Sequence, residues 1–277
     1  MHPWSRFLRK GRGEAAKVLF GNSVTAGSPR FATVNRAEAN AAARRRACLE
    51  LVRDLETSTE EVRWALQDLS SRGIVLQPKH CTAAIGALGQ RFLWQDALAL
   101  LLETAEKSAA IRKVSLAPDA ITWLATISAC EKGSQWAASL CLLAKAPIAQ
   151  KRDAAKAYGL VISACGKARC WETALAMLAS MRPRGFPPSV VCYNAAISAC
   201  EKGAQWPWAV ELLHQMEAWA IQPTAVTYSA AISAFEKAGE WQRAIAVCHL
   251  ARTVSLDLEV IGCSAAVSAC AKGQQWE

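Results

Sequence analysis

Tryptophan recurs along this chain at a fixed interval: Trp136, Trp171, Trp206, Trp241 and Trp276 are each 35 residues apart. The letters leading up to it recur with it, as in "NAAISACEKGAQW" from Asn194, "SAAISAFEKAGEW" from Ser229 and "SAAVSACAKGQQW" from Ser264. A period of this length restricts the chain to stacked supersecondary units. Each unit is too small to bury its own apolar face and has to bury it against the next. Trp94 is a sixth member, 42 residues before Trp136, which places a seven-residue insertion within residues 101–119.

Within a period the apolar pattern is helical. In residues 190–224, Tyr193, Ile197 and Cys200 follow i, i+4, i+7 and predict the buried side of a first helix, with small Ala195, Ala196 and Ala199 allowing close approach. Gly203 is read as ending that helix in the left-handed cap conformation. Trp206 opens a second helix, its indole expected between helices, and Pro207 suits the first turn. Ala209, Leu212, Leu213 and Met216 mark its apolar side, and Pro223 closes the unit. Five full repeats follow, 78–119, 120–154, 155–189, 190–224 and 225–259, with a truncated sixth from 260. Residues 48–77 read as a degenerate helical pair. In the truncated repeat Ile261, Ala265 and Val267 are expected to lack a covering helix, which suggests a fragment.

Charge is unevenly placed. Of the net +9, residues 1–47 hold +8, with ten Lys or Arg against Glu14 and Glu38, so the repeats are nearly neutral. The basic, acid-poor segment 1–47 lacks an apolar secretory core and reads as an organellar transit peptide or a disordered basic arm. No stretch approaches the roughly 18 apolar residues of a membrane span, and mean hydropathy is only +0.10. The eleven cysteines contain no C-x-x-C, and Cys130, Cys165, Cys200 and Cys270 share one repeat position. Equivalent atoms of stacked helices lie ~8–10 Å apart, beyond the ~7 Å a disulfide spans. They are expected to be free buried thiols, suited to a reducing compartment.

A second stripe runs along each first helix, away from its buried side. It reads Thr82-Gly86-Gln90, Leu124-Ser128-Lys132, Gly159-Ser163-Lys167, Asn194-Ser198-Lys202, Ser229-Ser233-Lys237 and Ser264-Ser268-Lys272. Serine and lysine hold still while the first residue changes. Lys132, Lys167, Lys202, Lys237 and Lys272, one per repeat, suit neutralisation of successive phosphates. A changing polar group beside them suits hydrogen bonding to an unstacked base. The plainer reading is that these lysines sit at helix C-termini, where the dipole favours them. Glu131, Glu201 and Glu236 precede three of them and offset their field.

The 35-residue helical pair with Tyr193-Asn194, Ile197, Lys202, Ala209, Met216 and Pro223 resembles the pentatricopeptide repeat family, over about 200 residues from 78 onward. The rival tetratricopeptide pattern lacks this period and terminal proline. The resemblance implies an all-α fold, a right-handed α-solenoid of ~35-residue helix-turn-helix repeats. It also implies single-stranded RNA as partner and a chloroplast or mitochondrial role in RNA processing, stability, translation or editing. In that family the fifth and last residues of a repeat set base identity. Carried over, the pairs are Thr82 with Asp119, Leu124 with Ala154, Gly159 with Ser189, Asn194 with Thr224, and Ser229 with Glu259. Thr82–Asp119 matches a guanine combination, Asn194–Thr224 resembles pyrimidine combinations, and Ser229–Glu259 is loosely purine-like; the other two offer little to a base. Lys79 and Lys156 replace the aliphatic residue that the family places beside the base, seen here as Ile121, Val191, Val226 and Ile261.

No catalytic, metal or cofactor motif is present: His2, His80, His214 and His249 form no H-E-x-x-H or H-x-E pattern, and neither P-C-x-x-C nor a phosphate-binding glycine loop appears. The chain therefore reads as a non-enzymatic adaptor without cofactor, membrane or small-molecule substrate. The alternative is a helical-repeat scaffold that binds other proteins on the concave face.

Overall fold

The computed structural model describes residues 30–54, 59–71, 76–111, 117–147, 150–253 and 260–273. All secondary structure among the described residues is helical. The chain divides into two compact units, Met1–Ala129 and Cys130–Glu277.

The first unit contains α1 (Arg30–Arg53), α2 (Thr59–Ser71), α3 (Pro78–Gln90), α4 (Trp94–Ile111) and most of α5 (Ala120–Lys132). α1 packs on α2 and α3, and α3 packs on α4. Cys48 and Val52 of α1 and Val62, Ala65 and Leu69 of α2 are buried. Arg44 reaches Asp68 at 3.3 Å. The expected boundary at residue 47 falls inside α1, because "ANAAARRRA" is composed almost wholly of strong helix formers. Part of the insertion after Trp94 lengthens a helix: α4 has 18 residues, against 13 for the second helix that begins at Trp206.

The second unit holds the end of α5 and four helical layers. They are α6 (Trp136–Lys145) with α7 (Lys151–Lys167), α8 (Trp171–Met181) with α9 (Val190–Lys202), α10 (Trp206–Ala218) with α11 (Ala225–Ala238), and α12 (Trp241–Thr253) with α13 (Val260–Lys272). First helices α7, α9, α11 and α13 stack in succession; α8, α10 and α12 each pack on their own first helix and the following one, and α6 packs on α7. This is an all-α helical-repeat solenoid. Tyr158, Ile162 and Cys165, then Tyr193, Ile197 and Cys200, then Tyr228, Ile232 and Phe235 form its buried column. Each fully buried side chain of this kind contributes ~1.5–3 kcal/mol. Ala209, Leu212, Leu213 and Met216 line the buried side of α10 as expected. α7 begins at Lys151, four residues before the expected unit start, because Pro147 has ended the preceding segment and "KRDAAKA" carries no breaker. In α13, Ala265 is buried by the preceding repeat while Val267 is 69% exposed; the side chain of Ile261 lies outside the described residues.

The first helices α3, α5, α7, α9 and α11 close with the same turn. In α9 the Gln205 N–H donates to the Cys200 carbonyl at 2.9 Å and the Ala204 N–H to Glu201 at 3.1 Å, a Schellman closure. The same pairs recur at Gln135, Cys170 and Glu240. The left-handed residue is Ala204, with φ 54°, and Gly203 is right-handed with φ −85°. This corrects the reading of Gly203. Its lack of a side chain serves packing: a methyl group there would lie 2.6 Å from Cδ1 of Trp171. Gly273 stands in the same relation to Trp241, at 2.5 Å.

Among the described residues the periodic tryptophans, Trp94, Trp136, Trp171, Trp206 and Trp241, are therefore half-buried rather than enclosed. Trp171, Trp206 and Trp241 each begin a second helix and lay the ring on the end of the next first helix. Trp206, which has Ala238 rather than glycine opposite, meets Phe235 at 6.1 Å between ring centroids and carries the Arg243 guanidinium 3.9 Å above its ring. All eleven cysteines are free thiols. Burial pushes the Cys200 thiol up to about 12 and that of Cys130 to about 11, so both pack as small apolar groups.

Candidate nucleic-acid interface

The stripe residues follow the buried column by a fixed rotation of each first helix, so burial of Tyr193, Ile197 and Cys200 turns Val191, Asn194, Ser198 and Lys202 outward together. Ile121, Val191 and Val226 are 60%, 67% and 54% exposed, and Lys79 and Lys156 are exposed at the same position. Within the second unit, Val191 and Val226 are apolar side chains left open on successive first helices, each beside the variable polar residue of its own repeat.

In the 190–224 repeat the fifth and last residues meet. The Asn194 amide donates to the Thr224 hydroxyl at 3.3 Å, and its oxygen accepts from the Thr227 hydroxyl at 2.6 Å. Thr224 and Thr227 also form a capping box at the start of α11. The helix cap that begins one repeat thus holds the amide of the repeat before it. One amide N–H remains to be presented outward. The first unit repeats the arrangement: Thr122 bonds Thr82 at 2.8 Å and Asp119 at 2.6 Å, joining the fifth and last residues of the 78–119 repeat. Thr122 and Thr227 were not among the expected site residues. Their sequence signal was present, as Asp119 and Thr224 each stand three residues before a threonine, the spacing of a helix N-cap.

The remaining pairs differ. Ser189 contacts the Cys192 thiol at 3.4 Å, opposite the space left by Gly159. Ala154 lies inside α7 and is buried. The Ser229 hydroxyl is buried without a partner, and Glu259 lies outside the described residues.

The lysine column departs from five equivalent cations. Lys167 pairs with Glu131 at 2.7 Å, Lys237 with Glu201 at 2.7 Å, and Lys272 with Glu236 at 2.8 Å. Ser163 and Ser268 donate to the same Glu131 and Glu236 carboxylates, at 2.8 and 2.9 Å. The Lys272 hydrogen bond, then that of Ser268, holds the Glu236 carboxyl below its ordinary range against the opposing effect of burial. Among the described residues, Lys132 and Lys202 have no ion pair. In the sequence each of these glutamates directly precedes a lysine of its own helix. The partner is instead the lysine one repeat onward, because stacked first helices place those two side chains face to face.

Sequence comparison reaches the same helices. The profile described as the PPR repeat family matches residues 188–237, and that of the PPR repeat matches 156–186 and 226–251. Residues 156–186 and 188–251 are pentatricopeptide repeats. The pentatricopeptide fold extends beyond those segments. The crystal structure of the pentatricopeptide repeat protein PPR10 with an 18-nt psaJ RNA element is similar over 83% of this chain, at 23% identity and a TM-score of 0.55. A variant of that protein with three cysteines replaced by serine, with the same RNA element, gives the same values. This chain spans 32% of the length of those proteins. Among curated proteins none matches by sequence. Among the described residues no group of His, Cys, Asp and Glu is placed to hold a metal ion, and no helix is long and apolar enough to cross a membrane.

Proposed function

We propose that this chain binds single-stranded RNA along its first-helix stripe, as a non-catalytic adaptor in organellar RNA metabolism. The observation that carries the reading is the meeting of Asn194 and Thr224 at 3.3 Å, with Val191 and Val226 open on the two helices that supply them. A base laid against an exposed aliphatic side chain presents its edge to an amide already oriented by Thr227. Thr82 and Asp119, joined through Thr122, supply a second polar reader. The similarity to PPR10, crystallised with RNA, supports the same use of the fold.

The organellar part rests on residues 1–47, whose +8 charge and lack of an apolar core suit a transit segment. Fused to a fluorescent reporter, they are expected to direct it to mitochondria or plastids; a diffuse cytosolic signal contradicts this part alone. The RNA part is tested by titrating the full chain with a pool of single-stranded RNA at two salt concentrations. Binding that weakens with salt is expected. No binding favours the second reading, a protein-binding scaffold on the same stripe, to which the internal neutralisation of Lys167, Lys237 and Lys272 also points.

A further inference from the structure

The lysine column and the glutamates beside it do not run in parallel. Glu131, Glu201 and Glu236 occupy the residue before the column position in three repeats; two other repeats carry Gly89 and Gly166 there. Wherever the glutamate is present and the following first helix is described, it takes the next lysine, at 2.7 to 2.8 Å. Gly166 does something different. A methyl group added to it would lie 3.0 Å from the Ala199 Cβ, so α7 and α9 approach closely at the point where a carboxylate would have stood. Lys202, the lysine that this carboxylate would have held, is exposed and has no ion pair. Lys132, whose repeat follows the one with Gly89, has none either.

Resting on the RNA-binding reading above, we infer that the residue before each column lysine sets whether the lysine of the next repeat can hold a phosphate. Glycine leaves that lysine available and glutamate withdraws it. A lysine alone presents a full positive charge to a phosphate. A lysine in contact with a carboxylate presents a dipole, and a phosphate reaching it also meets the carboxylate's repulsion. Ser163 and Ser268 fix two of those carboxylates in place, so they do not swing aside to yield the cation. The column therefore offers Lys132 and Lys202 as backbone anchors, and Lys202 stands in the same repeat as the Asn194–Thr224 pair. The strand is gripped where that base reader sits and slackly held at Lys167, Lys237 and Lys272.

The test compares full-chain variants by the slope of log affinity against log salt for one single-stranded RNA. Lys202→Ala is expected to flatten the slope by about 0.7, one released counterion on a single strand, and Lys237→Ala to leave it nearly unchanged. Glu201→Gln keeps the shape and a hydrogen-bonding oxygen while removing the charge. It is expected to steepen the slope by about 0.7 and to strengthen binding of all RNA sequences alike. Lys202 and Lys237 are on the surface and Glu201 is half-buried, and the Gly166 contact is left intact in each variant. Equal flattening by Lys202→Ala and Lys237→Ala, or no steepening by Glu201→Gln, overturns the inference while leaving RNA binding itself standing. Absence of RNA binding by the parent protein overturns both.

Discussion

Residues 190–224 and 225–259 are adjacent copies, yet they reach one geometry by different routes. α9 ends "ACEKGAQW" and α11 ends "AFEKAGEW". Both close with the same pair of backbone hydrogen bonds, Gln205 to Cys200 and Glu240 to Phe235 among them. In the first copy glycine lies beneath Trp171 and Ala204 takes the left-handed conformation at φ 54°. In the second copy glycine itself is left-handed, at φ 76°. Trp206 there turns to Phe235 and Arg243. The repeat preserves a turn and a place for an indole, and several combinations of letters satisfy them.

The largest expected contrast lies in the buried column. Phe235 and Cys200 hold equivalent places, both essentially fully buried. Phe235→Ala should cost about 3–5 kcal/mol, with a cavity left against Trp206, while Cys200→Ala should cost about 1. Chemical denaturation of both variants checks this; equal losses would mean that the two columns are not packed alike.

Next come the tryptophans. Trp206 is half-buried, so Trp206→Ala should cost about 2–3 kcal/mol, below the range for an enclosed indole. Trp219 is 54% exposed and is covered by the Arg182 guanidinium at 3.3 Å. Its replacement by alanine should cost about 1 kcal/mol, the order of one cation–π contact. A Trp219 loss as large as that of Trp206 would place structural weight on the wrong ring of each period.

The fold was legible because helical burial is a local matter. The spacing of Tyr193, Ile197 and Cys200 marks a face without knowledge of any neighbour, and Trp206-Pro207 marks a helix start. What escaped depends on how one helix sits on the next. Gly203 looked like a left-handed cap because glycine usually is one there; only the ring of Trp171, 32 residues earlier, shows otherwise. The pairing of Glu201 with Lys237 likewise spans 36 residues, and no spacing within a helix encodes it. At the proposed base-contacting position the pattern singles out Asn194 and Thr224 but passes over Thr227, whose work as a helix cap hides its hold on Asn194.

The two turns offer a smaller and opposite-signed pair of effects. Ala204→Gly should stabilise by up to about 1 kcal/mol by removing left-handed strain from a residue with a Cβ. Gly239→Ala should destabilise by about 1 for the converse reason. Shifts in the denaturation midpoint of the two variants, in opposite directions, are the expected reading. A shared direction would show that the two closures are not the same turn.

Whether the Asn194–Thr224 pair reads a base is measured most directly by competition binding against RNAs that differ at one nucleotide. The parent protein is expected to prefer cytosine or uracil opposite the 190–224 repeat by about 1 kcal/mol, the net worth of one hydrogen bond. A purine fills the space beside Val191 before its edge meets the amide. Replacing Asn194 with Thr and Thr224 with Asp recreates the Thr82 and Asp119 combination, with Thr227 in the bridging place that Thr122 holds. The expected result is a shift of preference to guanine at that nucleotide alone. A change in overall affinity with the base preference left flat would contradict it.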